Sequence, residues 1–73
     1  DTRLAGEVKA LFPEGNSIAL SRSIRMNVDS LNADTLTFVI LQSKKTLSDT
    51  EKKRISDWLL RRTGARKLQL IME

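Results

Sequence analysis

The spacing of apolar positions switches between two periods along the chain, and the switches predict five elements. Over residues 2–12, Leu4, Val8, Leu11 and Phe12 stand at i, i+4, i+7 and i+8, which is one face of a helix. Pro13 and then Gly15-Asn16 end it, because proline has no amide proton for the helical ladder. From Ile18 to Val28 the period falls to two. Ile18, Leu20, Ile24, Met26 and Val28 alternate with Ser17, Ala19, Ser21, Ser23, Arg25 and Asn27. Arg22 interrupts the apolar face, which predicts a bulge around residues 21–23 or an edge position from which the guanidinium reaches water. Residues 29–34 are rich in turn formers and predict a hairpin loop.

A second strand is predicted over 35–42, with Leu36, Phe38 and Ile40 on one face and Val39 and Leu41 making the other face apolar too. After a polar connection over 43–46, Ser48 and Glu51 have the spacing of a capping box, in which each side chain satisfies a backbone donor of the first helical turn. Asp49 and Glu51 suit the positive end of that helix, and Arg61 and Arg62 its negative end. Ile55, Trp58, Leu59 and Arg62 share a stripe, and Gly64 is the predicted stop. Leu68, Leu70 and Met72 alternate with Lys67, Gln69 and Ile71 in a last strand over 66–72.

The predicted order is α-β-β-α-β in one domain over residues 1–73, of the α+β class. Two amphipathic helices over a three-stranded sheet bury their apolar faces as a two-layer sandwich. The hairpin is antiparallel, and the second helix carries the chain into a third strand parallel to the second, so the sheet is mixed. The pattern does not choose whether the third strand lies beside the first or the second. The expected core is Leu4, Val8, Leu11, Phe12, Ile24, Met26, Phe38, Ile40, Ile55, Trp58, Leu59, Leu68 and Leu70, with Phe38 and Trp58 the costliest truncations.

Composition narrows the chemistry. The 73 residues include no Cys and no His. Zinc sites of the Cys/His kind, thiol chemistry, disulfides and imidazole acid–base catalysis are thereby removed. The longest apolar run is Phe38-Val39-Ile40-Leu41, far short of the roughly 20 residues a membrane span needs. The carboxylates are scattered from Asp1 to Glu73, and the closest pair, Asp49 and Glu51, is explained by helix capping. No Gly-x-Ser-x-Gly turn or phosphate-cradling glycine loop occurs. The expectation is a protein that is not an enzyme and uses no cofactor or metal.

Charge is uneven. Residues 44–67 hold nine bases against three acids, a net of +6, while the remainder carries −2 of the overall +4. Lys52, Lys53, Arg61, Arg62, Arg66 and Lys67 form the candidate surface for an anionic partner, either nucleic acid or lipid headgroups. The plainer account is a solvated helix face whose last arginines complement the helix dipole. The three aromatic residues, Phe12, Phe38 and Trp58, all fall on predicted core positions, which leaves none to stack on bases.

The order helix, hairpin, capped helix, strand resembles small αββαβ modules. These include the ring-building domains of bacterial secretion and basal-body proteins, the cytosolic C-terminal domains of cation-efflux transporters and, at the same coarse level, the second type of KH fold. The chain lacks the His ligands of cation-efflux domains and the Gly-x-x-Gly loop of KH modules. The resemblance to ring-building domains implies a non-enzymatic interaction or assembly module, the domain of a larger bacterial membrane or envelope protein. It would act by self-association or by docking a protein partner through a helix face or a free sheet edge. A start at Asp1 rather than Met fits a domain cut from such a chain. Nucleic-acid binding through the basic second helix and C-terminal segment is the alternative.

Overall fold

The computed structural model describes residues 2–73; Asp1 lies outside them. The elements are α1 (Thr2–Leu11), β1 (Gly15–Asn27), β2 (Asn32–Ser43), α2 (Asp49–Thr63) and β3 (Leu68–Met72). They form the expected α+β arrangement, with two helices on a three-stranded mixed sheet. The strand order β1-β2-β3 puts the third strand beside the second, parallel to it, while β1 and β2 run antiparallel.

Local chemistry explains the element ends. The last turn of α1 continues into a bond from the Phe12 amide to the Val8 carbonyl (2.7 Å), and Pro13 stops the ladder there. Gly15 then turns tightly beneath Phe12, where an added Cβ would stand 3.2 Å from the ring. The capping box of α2 forms as predicted. Ser48 Oγ accepts from the Glu51 amide (3.1 Å), and Glu51 Oε1 accepts from the Ser48 amide (3.1 Å). That amide, with the Ser48 hydroxyl and Lys45, holds the Glu51 carboxyl below its usual range. Gly64 ends the helix in the left-handed region, at φ 70°, a conformation glycine adopts without a Cβ clash. Ser48→Ala removes one cap and leaves the apolar stripe intact. It should lower stability by about 1 kcal/mol in chemical denaturation.

The core lies on the face of β2 opposite to the one expected. Val8, Phe12, Val39, Leu41, Leu47, Ile55 and Leu59 are buried together, with Leu4, Ile18, Trp58, Leu68, Leu70 and Met72 packed around them. Phe38 and Ile40 are half-buried on the opposite sheet face, which no helix covers. The physical reason is register. Val39 stands beside Leu20 and Leu70, and Leu41 beside Ile18 and Met72, so the 37–39–41 face gathers apolar residues from all three strands. Phe38 instead stands beside Ser21 and Gln69. A strand apolar on both faces leaves the choice to its neighbours.

Leu11, Ile24 and Met26 also leave the expected core and are exposed. Trp58 is half-buried against the cluster rather than central to it. Leu47, inside the stretch between β2 and α2, is buried although it falls outside the expected core. The two helices are tied at the surface by Arg62, whose Nη2 lies 2.8 Å from Glu7 Oε2 and whose Nε donates to the same oxygen (2.9 Å).

Candidate functional site

β1 and β2 are much longer than the body that covers them. β3 pairs with β2 only over Thr37–Leu41, whereas the β1–β2 ladder continues to Asn27 and Asn32. Beyond residue 37 on one strand and 22 on the other, the hairpin is therefore a two-stranded arm. The molecule measures 42 × 25 × 17 Å, with a radius of gyration of 13.4 Å, against about 11 Å for a compact chain of this length.

No bulge forms at Arg22; the single irregularity of the ladder lies between Gly15 and Ser17. Alternation consequently runs unbroken from the core into the arm. Leu20 faces the same way as Val39, and so do Ile24 and Met26, but no helix lies over them. Exposure rises along that line: Ile24 is 71 % exposed, Met26 76 %, Val28 83 % and Leu31 89 %. Met26, Val28, Leu31 and Ala33 line a shallow groove at the tip with Asn27 and Asn32.

The tip is a loop of four residues, 28–31, closed by the Leu31 amide donating to the Asn27 carbonyl (2.8 Å). Leu31 closes it with φ 58°, a left-handed conformation that turns usually assign to Gly or Asn. An apolar side chain is held out at a position where chain geometry alone favours a different residue.

Polar side chains brace the arm on its other face. Asn27 Nδ2 donates to Asn32 Oδ1 (2.8 Å). Arg25 Nη2 donates to Asp34 Oδ2 (2.8 Å), and Lys67, from the stretch before β3, donates to the same carboxylate. The Arg25 guanidinium first, and Lys67 with it, pull the Asp34 carboxyl down to about 2. A depressed carboxyl contributes stability that is complete above its unfolded value of 3.8 and is lost as pH falls through about 2. Asp34→Asn should thus flatten the fall in melting temperature between about pH 4 and pH 2, followed by circular dichroism.

β1 is also an open edge. β2 occupies one side of it, and its 13 residues contain no Pro; its two charges are Arg22 and Arg25, the second of them paired with Asp34. A second groove, of about 90 Å³, opens between α1 and the start of this edge and is lined in part by Ala5, Val8 and Ile18.

Of the basic residues singled out from sequence, Lys52 and Lys53 line one groove and Arg66 and Lys67 another. Lys52 and Lys53 lie near the start of α2, beside Leu68 and Leu70, and Lys53 pairs with Asp57 (3.3 Å). Arg62 reaches across to Glu7, and Arg61 is exposed on the last turn. Arg66 and Lys67 are brought together, and with them Arg22, around a cleft of about 260 Å³ that Thr35, Thr37, Thr63 and Gly64 also line. Arg22 had no expected part in that surface. Its register opposite Thr37, beside the end of α2, places its charge at the negative end of the helix.

Among the described residues no group of three or more carboxylate, His or Cys side chains could hold a metal ion, and no helix is long and apolar enough to cross a membrane.

A family model described as a domain of unknown function, DUF8492, matches residues 1–73. The chain belongs to that family. No curated protein and no solved structure matches it.

Proposed function

We propose that the domain is a non-enzymatic interaction module that docks through its hairpin arm and the open edge of β1. It would serve within a larger bacterial membrane or envelope assembly protein. The observation that carries this reading is the row Ile24, Met26, Val28 and Leu31, apolar and between 71 % and 89 % exposed on one arm. Scattered exposed apolar residues are ordinary on a protein surface; a contiguous row that runs along an edge strand and into its turn is not. Such an edge offers main-chain hydrogen bonds for affinity and alternate side chains for specificity.

Light scattering on the eluted domain over a concentration series tests the reading. A molar mass that rises above that of the 8.3 kDa chain supports it. A constant monomer mass, together with retention of a labelled oligonucleotide that weakens steeply with salt, would favour the basic surface instead. Co-sedimentation with anionic vesicles would point to lipid headgroups.

A further inference from the structure

We propose that the arm is covered by a second copy of this chain, the two β1 strands running antiparallel about a two-fold axis at Ser23. The proposal rests on the reading of the arm as a docking surface and names its occupant.

The exposed area is large enough for such a contact. The chain exposes 5383 Å². A compact monomer of 8.3 kDa exposes about 4,600 Å², so the excess is about 800 Å². That is about the area each partner contributes to a standard stable interface. The molecule is elongated, and Ile24, Met26, Val28 and Leu31 stand exposed along the arm.

Register selects the axis. A two-fold axis perpendicular to the sheet puts both helical layers on one side and makes one continuous six-stranded sheet. Facing residues then share a face, and an isologous contact is satisfied twice. With the axis at Ser23, Leu20 faces Met26 of the second copy, Ile18 faces Val28, and Ile24 lies against the aliphatic stem of Arg22. On the opposite face Arg25, already paired with Asp34, meets the small Ser21.

Neighbouring registers fit less well. An axis at Arg22 sets two guanidiniums directly opposite each other, which is destabilising. An axis at Ser21 faces Met26 with Asn16 and carries Val28 past the end of the partner strand. An axis at Ile24 carries Ile18 past Val28 to face Ser30 in the middle of the loop, and sets Met26 against Arg22. Only the Ser23 axis brings Val28 beside Ile18, where the groove between α1 and β1 is open and lined by Ala5 and Val8.

The chain has no Cys, so a single Ser23→Cys substitution introduces one thiol per copy. Directly facing residues of an antiparallel pair have Cα atoms about 4.5–5.5 Å apart, within disulfide range. Ser21→Cys is the control. In the same register its two thiols lie four residues apart along the strands, about 13 Å, and cannot bond. Mild oxidation, read on non-reducing gels beside light scattering of the unmodified chain, should cross-link Ser23→Cys at least tenfold more than Ser21→Cys. A dimeric unmodified chain with equal cross-linking of the two variants would overturn the axis while leaving self-association intact. An unmodified chain that stays monomeric throughout the series would overturn the second copy as the occupant.

Discussion

Leu59→Ala should lower the melting temperature more than truncation of either large aromatic residue that the sequence favours, Phe38 or Trp58. Leu59 is 0 % exposed and sits on α2 where that helix meets Val39 and Leu41. A buried Leu cut to Ala loses its transfer free energy and leaves a cavity, a cost of about 2–5 kcal/mol. A 73-residue domain has only about 4–11 kcal/mol of stability in total. At roughly 4–8 °C per kcal/mol, a loss of about 3 kcal/mol shifts the transition by some 12–24 °C. Phe38→Ala removes a larger side chain, but from the uncovered sheet face, where it is already half in water. Trp58 is likewise only half-buried, at the margin of the cluster, and thermal denaturation of the three variants decides the point. A lower melting temperature for Phe38→Ala would mean that the helices cover the other face of β2.

The double substitution Ile24→Lys with Met26→Lys should abolish self-association and leave the fold untouched. Both side chains point into water in the single chain, so each change should alter stability by no more than about 0.5 kcal/mol. At the interface the arithmetic is different. Two substitutions count four times across a two-fold axis, and burying an Ile or Met side chain is worth about 1.5–3 kcal/mol. The ammonium introduced by Ile24→Lys would also face Arg22 of the second copy, a like-charge pair. The dimer dissociation constant, from sedimentation equilibrium, should rise at least a thousandfold. Equal constants for the variant and the unmodified chain, with equal melting temperatures, would place any association elsewhere on the surface.

Much of the fold was legible because local signals agreed with one another. The capping box at Ser48 and Glu51, the stop at Gly64 and the alternation in β3 each left a single reading. The faces of β2 were not legible in isolation, since Phe38 and Val39 belong to two apolar rows. A comparison across strands would have chosen between them, because Ser21 and Gln69 fall in register with Phe38 while Leu20 and Leu70 fall in register with Val39. Leu47 carried a faint signal, an apolar residue immediately before a helix cap. The arm was hidden for a different reason. Periodicity shows which face of a strand is apolar, but how far the helices reach along that face depends on packing, so Ile24 and Met26 read as core. The basic residues of α2 were visible as a run, yet partners such as Glu7 and Asp57, and the position of Arg22, come only from the tertiary arrangement.

Amide hydrogen exchange of β1, compared between dilute and concentrated samples of the unmodified chain, tests most directly that this strand's open edge is completed by a second copy. Paired edge amides exchange only when the pairing opens, whereas amides facing water exchange freely. Peptides covering residues 18–28 should gain protection as the concentration rises, while those covering α2 stay unchanged. Exchange over 18–28 that is identical at both concentrations, in a sample whose molar mass has doubled, would contradict the account.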